Sequence, residues 1–243
     1  MDRNLVGGAH IFDSELAELR SLHLADSALP IGALAHSFGI ESLASEGLLK
    51  VSDLPNFFCG YLEEAGMVEA VFCRAAFRLA LTGLERFSRK HWVEINDRLS
   101  ALKAAREGRA GSAALGQNFL LAVLAVSEAP LLREALQATR QAGSVVHHSP
   151  AFGLASGALE LNEDRAVLAY LHQSAASLVS VCQRLMPLGQ SEATRILWNL
   201  KPMVAEVAAR SAACALDDTC CFMPLLDWGA MEHPALSTRL FIS

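Results

Sequence analysis

Apolar residues recur at helical spacing through most of the chain. Spacings of three and four residues place such side chains along one face of a helix. The segments with this pattern are Glu15–Ala25, a stretch from about Leu34, Leu54–Gly83, Ser88–Glu107, Ser112–Val126, Leu131–Gln141, Ala151–Leu161, the stretch after Asn162, and Gly189 or Ser191 to about Cys214. The pattern predicts an all-α fold, a single compact bundle of roughly eight to ten helices.

The segments between these stretches carry the usual signals for helix ends. Polar or Gly/Pro-containing breaks are predicted at Arg106–Gly111, Gly143–Pro150 and Met186–Gln190, and Ser52-Asp53 is a candidate N-cap. Residues 1–13 are predicted to be a loose leader. The last segment, Asp217–Ser243, has short apolar clusters and two prolines but no sustained period. We therefore expect one domain over residues 1–243, ending in a flexible docking tail.

Composition narrows the functional class. The chain has 243 residues, of which 52% are hydrophobic, so a substantial core can form. Ala and Leu dominate, while Thr and Tyr are scarce, which favours helices over strands. A net charge of −6 and a pI near 5.7 provide no general attraction to nucleic acid or anionic lipid.

A mean hydropathy of +0.30 raises the question of a membrane span. The uncharged windows Ala110–Ser127, Gln141–Leu159 and Ala166–Gln183 all carry polar residues near their middles, which a bilayer core would disfavour. Buried core helices explain these windows better. The first 15 residues lack the apolar run of a secretory signal, so a cytoplasmic location is expected.

Candidate catalytic and metal sites are few. The chain contains no phosphate-binding P-loop motif, H-E-x-x-H, G-x-S-x-G or E-x-x-H motif, which argues against a self-contained hydrolase, NTPase or oxidase. Adjacent His147 and His148 would point about 100° apart on a helix, so a structural or capping role is favoured over chelation. The six cysteines form no C-x-x-C pair and are expected to be mainly core residues. No cofactor is predicted.

The segment Ser27–Glu41 (SALPIGALAHSFGIE) is the most distinctive part of the sequence. Pro30 fixes its own φ and favours extended geometry before it, while Gly32 permits a turn. A helix is expected to begin just after this elbow. His36, Ser37 and Glu41 are then the polar minority in an apolar stretch.

The elbow resembles the N-terminal signature of the urease accessory protein family UreF. Four later segments resemble the same family in the same order: the stretch from Arg109 to Leu120, His148–Gly157, Leu185–Gln190 with Arg195, and Met231–Ser243. Each match alone is weak, but the ordered set covers nearly the whole chain. The sequence departs from the family pattern at Ala33, Leu34, Thr238 and Ile242, the last standing where a second Arg is common.

The resemblance implies a non-catalytic, homodimeric scaffold in urease maturation. Its expected partners are UreD (UreH in some organisms), the GTPase UreG and the urease apoprotein, to which nickel would be delivered. The residues that would bind partners are Pro30, Gly32, His36, Ser37, Glu41, Gln117, Arg184, Gln190, Arg195, His233, Arg239, Leu240 and Phe241. In this interpretation, the tail folds onto UreD, because weakly periodic ends gain structure when a partner buries them.

Three alternatives remain open at the level of sequence. The protein could regulate UreG by supplying Arg184 or Arg195 to its nucleotide site, since such an arginine raises turnover by roughly 10³ to 10⁵. It could instead be a helical nickel-binding chaperone that uses His147, His148 and the cysteines. An unrelated helical enzyme would be revealed by a pocket with convergent, pKa-perturbed residues.

Overall fold

The chain folds into a helical bundle in a computed structural model that describes residues 5–243, with side chains from Ser14 onward. No strand occurs in that part of the chain. The helices are α1 (Leu5–Leu24), α2 (Ile40–Ser45), α3 (Leu54–Tyr61), α4 (Met67–Ala80), α5 (Arg89–Leu102), α6 (Arg106–Val126), α7 (Pro130–Ala142), α8 (His148–Ala158), α9 (Glu163–Leu185), α10 (Gln190–Asn199), α11 (Lys201–Ser211) and α12 (Pro224–Glu232). The all-α prediction is confirmed.

Helix ends follow local sequence where capping residues are present. The Ser88 hydroxyl accepts a hydrogen bond from the His91 amide at the start of α5, and the Asn162 side chain accepts one from the Arg165 amide at the start of α9. Each bond satisfies an amide that the helix itself leaves free. α7 ends where Gly143 takes a left-handed conformation.

Several predicted boundaries differ from the structure. The helix predicted over Leu54–Gly83 is interrupted by a π-helical turn at Leu62–Gly66, which joins α3 to α4. α6 begins at Arg106, so the predicted polar break there is helical. The last predicted helix divides at Leu200, just before Pro202, because proline is favoured in a first turn and disfavoured in a helix interior.

The N-terminal helix is longer than its apolar stripe indicates. It begins at Leu5 rather than Glu15 and therefore includes most of the segment predicted as a leader. Residues 1–4 of that predicted leader lie outside the described residues, as do the side chains of residues 5–13.

The centre of the bundle is α8, which packs closely on α4. A Cβ atom at Gly153 would lie 1.9 Å from the carbonyl oxygen of Cys73, and one at Gly157 would lie 2.7 Å from that of Phe77. The two glycines occupy one face of α8, four residues apart, so the backbones can approach closely. This crossing places His148, at the first turn of α8, inside the core.

α6 is long and apolar enough to cross a membrane by length and composition alone, a test that the core helix of a soluble protein can also pass. In the structure it packs on other helices. A Cβ at Gly116 would come within 2.1 Å of the Val146 carbonyl oxygen, and the Asn118 amide donates to the Ile31 carbonyl oxygen at 3.1 Å. These contacts place α6 against the start of α8 and against the elbow.

Candidate functional site

The elbow, Ser27–Glu41, contains an extended segment rather than the helix predicted from Leu34. A short 3-10 turn at Ala33–Ala35 leads into extended backbone at His36. Phe38 and Gly39 then adopt consecutive left-handed conformations, with φ of 52° and 96°, before α2 begins at Ile40. A right-handed helix cannot continue through residues with left-handed backbone, so α2 cannot extend back through Phe38 and Gly39. His36 and Ser37 therefore precede the helix instead of lying on it.

The elbow is occupied by the chain's own final residues. The Ile242 amide donates to the Ala35 carbonyl oxygen at 2.8 Å. The amides of Ser37 and Phe38 both donate to the main-chain oxygen of Ser243. The segment predicted as a flexible docking tail, Asp217–Ser243, thus contains a helix and lies packed against this chain, and the structure does not show it as flexible.

The carboxylate of Glu41 binds three donors from the tail. Its oxygens accept from the Leu240 amide at 2.6 Å, the Phe241 amide at 3.2 Å and the His233 Nε2 at 2.8 Å. Glu41 is 4% exposed and His233 is 1% exposed. A carboxylate at such depth requires hydrogen-bond donors, and the tail provides them.

A second polar contact joins the tail to the elbow, beside Gly111 of α6. The Ser243 hydroxyl lies 2.7 Å from Nδ1 of His36, and burial lowers the pKa of this histidine. A Cβ at Gly111 would lie 3.0 Å from the Ser243 hydroxyl and 3.1 Å from His36 Nδ1. Gly111 thus leaves room for a contact that a side chain would crowd.

Arg184, near the end of α9, reaches both the elbow and the tail. Its guanidinium donates to the Leu34 carbonyl oxygen at 2.8 Å and lies 4.2 Å from the ring centroid of Phe241, which is buried. The arrangement combines a charge-assisted hydrogen bond with a cation–π contact. Arg184 is therefore engaged within the chain.

The helix of the tail, α12, is seated on the turn before α2. A Cβ at Gly39 would lie 2.5 Å from the Leu226 carbonyl oxygen and 2.7 Å from the Ala230 amide nitrogen. On the other side, a Cβ at Gly229 would lie 2.5 Å from the Gly39 carbonyl oxygen. This direct backbone contact fixes the position of α12 against the elbow.

We call this region the elbow–tail junction and define it by Leu34–Glu41, Gly111, Arg184 and Gly229–Ser243. It brings together five of the predicted partner-binding residues through their side chains: His36, Glu41, Arg184, His233 and Phe241. Ser37 and Leu240 contribute backbone amides. Five sequence segments resemble UreF, and four of them have residues at or beside the junction. These four are the elbow, the Arg109–Leu120 segment, the tail and the Leu185–Gln190 segment, which directly follows Arg184.

The other predicted residues lie elsewhere or point outward. Pro30, Gly32, Gln117 and Arg239 are exposed, and Gln190 is the first residue of α10. Gly189 is the N-cap of α10, with no side-chain capping bond there in the described chain. Arg195 is exposed and pairs with Glu192, one turn before it.

The junction does not assemble an acyl-transfer site in the described residues. His36 and Ser243 form a hydrogen-bonded pair, but Glu41 orients His233 instead of His36. A Ser–His pair becomes a strong nucleophile when a third group orients the base, and the hydrogen bonds of the described residues give His36 no such carboxylate. The observed bonds hold the tail in place.

His147 and His148 are core residues. His147 occupies the N-cap position of α8, and its ring lies 2.7 Å from the Ser100 hydroxyl and 3.0 Å from that of Ser112. His148 lies among the rings of Phe119, Phe152 and Tyr170. Burial lowers the pKa of each histidine to about 4. From Ser14 onward, no three His, Cys, Asp or Glu side chains form a potential metal cluster.

A buried polar cluster around Glu69 was not predicted from sequence. Its carboxylate binds the Lys103 ammonium and the Ser149 hydroxyl, and accepts from the Tyr170 hydroxyl at 3.2 Å. Burial by itself would raise the pKa of Glu69, but Lys103 and these bonds hold it below its ordinary value. Glu69 interrupts the apolar face of α4, which is the only sequence signal that could have identified it.

Comparisons with known proteins bear on the family of this chain. The model of the family described as UreF matches residues 50–201. A urease accessory protein UreF from Corynebacterium glutamicum (strain R) is 29% identical over 93% of this chain and 98% of its own length. A protein of the same name from Trichormus variabilis is 29% identical over 93% of this chain and 95% of its own length. Another, from Bacillus sp. (strain TB-90), is 26% identical over 93% of this chain and 98% of its own length.

These relatives are named as urease accessory proteins, and an accessory protein is not a catalytic enzyme. The family match spans more than half of the chain. This chain belongs to the UreF family of urease accessory proteins.

Proposed function

We propose that this protein is a non-enzymatic scaffold in urease maturation, with the elbow–tail junction as the part that engages UreD (or UreH). The complex would recruit UreG and deliver nickel, as cargo, to the urease apoprotein. We expect a homodimer in the cytoplasm, where the six free cysteines remain reduced. Family membership supports the role, and the junction supports the choice of surface.

The observation that carries the proposal is the division of the tail into an anchored side and an exposed apolar side. Phe241 and His233 are buried, whereas Leu240 is 59% exposed and Ile242 is 72% exposed. Trp228, on α12, is also substantially exposed. Large apolar and aromatic side chains held on a fixed backbone are typical of protein-binding surfaces.

This arrangement modifies the tail model drawn from sequence. A tail that is already folded on the elbow can present its apolar side without the entropic cost of ordering on the partner. Glu41 and Arg184 then act indirectly, by holding the tail in the conformation that UreD meets. Ile242 would contribute an apolar contact at the position where the family more often has Arg.

Co-purification with UreD tests the proposal. Deletion of Asp217–Ser243 and the double substitution Leu240→Asp/Ile242→Asp are each expected to abolish co-purification. The double variant should retain native helicity and a native unfolding transition, because both side chains project into solvent. The matched control is Leu81→Asp, which changes an equally exposed leucine at the end of α4. Retention of UreD by the double variant would contradict the assignment of this surface.

A further inference from the structure

A cavity of about 140 Å³ lies beneath the tail, beside the elbow–tail junction. Its walls come from the elbow, α4 and the π-helical turn before it, α6, α9 and α12. They are mainly apolar, with Phe38, Leu115, Leu178 and Leu226 among the lining residues. An apolar cavity with a few convergent polar groups is the usual form of a small-molecule site.

Two buried polar atoms on residues that line this cavity have no hydrogen-bond partner in the described chain. They are Oε1 of Gln173, a residue 4% exposed, and Nε2 of His148, a residue 7% exposed. The low pKa of His148 keeps its ring neutral at physiological pH, so its ring can accept a hydrogen bond. A buried acceptor without a donor is costly, and a ligand that donates would remove that cost.

The charges around the cavity disfavour an anion. Glu69 and Asp227 contribute two carboxylates, and Lys103 contributes one ammonium group that is already paired with Glu69. The Glu69 carboxylate is also occupied by Ser149 and Tyr170. The excess negative charge favours a neutral or cationic guest, which agrees with the need for donors at Gln173.

We propose that this cavity binds a small molecule bearing N–H donors, with Gln173 Oε1 as the principal acceptor and α12 as the cover. The volume is close to that of engineered cavities of about 150 Å³ that hold benzene, so a molecule of a few heavy atoms fits. Primary carboxamides and alkylammonium ions share this chemistry. The inference concerns a site separate from the exposed apolar side of the tail, and it does not depend on UreD binding.

The test uses three probes on the full-length, ¹⁵N-labelled protein. Acetamide is a neutral donor, methylammonium is a cationic donor, and acetone matches acetamide in size but has no N–H group. We expect saturable chemical-shift changes at the Gln173 side-chain amide with acetamide, methylammonium or both, with a Kd on the order of 1 mM for so small a probe. The relative affinities of the two donors distinguish a neutral from a cationic ligand.

Two variants separate binding chemistry from cavity space. Gln173→Met removes the acceptor with little change in size, and Ser177→Leu fills the cavity from α9. Each is expected to weaken donor binding at least tenfold, while Gln141→Met, on the exposed surface of α7, leaves it unchanged. If Gln173→Met does not fold, Ser177→Leu still decides the question.

Three results would overturn the proposal. The first is that neither donor gives a saturable shift, which would mean that the cavity holds solvent only. The second is that acetone binds as tightly as acetamide. The third is that a folded Gln173→Met or Ser177→Leu variant binds the donors with unchanged affinity.

Discussion

The Glu41 carboxylate accepts a hydrogen bond from Nε2 of His233 at 2.8 Å, although 192 residues separate the two in sequence. The same carboxylate binds two backbone amides of the tail. One side chain of α2 therefore fixes the helix of the tail and its last residues together. Loss of this carboxylate should affect the whole segment from His233 onward.

Glu41→Ala is expected to lower the free energy of unfolding by about 3 kcal/mol, because it leaves two amides and an imidazole buried without their acceptor. It should also accelerate tryptic cleavage after Arg239. Urea denaturation and limited proteolysis measure these effects. The control is Glu46→Ala, at the exposed C-cap of the same helix, for which a change within about 0.5 kcal/mol is expected. Equal losses in the two variants would contradict the role given to Glu41.

Gly39→Ala should be far more damaging than Gly47→Ala. Both glycines have positive φ, 96° and 68° respectively, so each substitution carries a backbone cost of roughly 1–2 kcal/mol. Only at Gly39 would the new Cβ meet the backbone of α12, whereas Gly47 has open space around it. We expect Gly39→Ala to cost at least about 2 kcal/mol more in urea unfolding. Similar values would show that α12 is not seated on Gly39.

The helical framework was predictable from sequence because it depends on local periodicity and capping. Asn162 is one example, since its side chain caps α9 in the structure. The elbow was predicted only in part. Pro30 and Gly32 indicated a turn, but the left-handed pair Phe38 and Gly39, which delays α2, is stabilised by contacts with a tail far away in sequence.

The junction shows what a single sequence cannot provide. His233 and Phe241 were identified by resemblance, but nothing local indicates that their partners are Glu41 and Arg184. The tail lacks helical periodicity because its contacts are distributed over the elbow, α9 and its own short helix. A weakly periodic segment therefore appeared to be unattached, when its order comes from long-range hydrogen bonds.

Stability should fall as the pH is lowered from 6.5 toward 4. His147 and His148 have folded-state pKa values of about 4, against about 6.5 for an unperturbed histidine. Between these values the unfolded chain binds protons that the folded chain does not, so acid favours unfolding. Each histidine should contribute a loss of about 2 kcal/mol between pH 7 and pH 5.

Substitution of His148 tests this assignment. His148→Phe fits the aromatic surroundings of Phe119, Phe152 and Tyr170 and should remove about half of the pH dependence due to this pair. The control is His91→Gln, which changes an exposed histidine of α5 and should leave the slope unchanged. Urea unfolding at several pH values gives the measurement. An unchanged slope in His148→Phe would show that other groups cause the acid sensitivity.

Arg184→Ala tests whether this arginine anchors the tail or serves UreG. We expect a loss of roughly 1–2 kcal/mol in stability and faster tryptic cleavage of the tail, because the bond to Leu34 and the contact with Phe241 are removed. Arg195→Ala, which removes only an exposed pair with Glu192, should change neither. GTP hydrolysis by UreG, measured in complexes that still co-purify, should be the same with both variants and the unsubstituted protein. A fall in hydrolysis approaching 10³-fold with either variant would instead identify that arginine as one supplied to the nucleotide site.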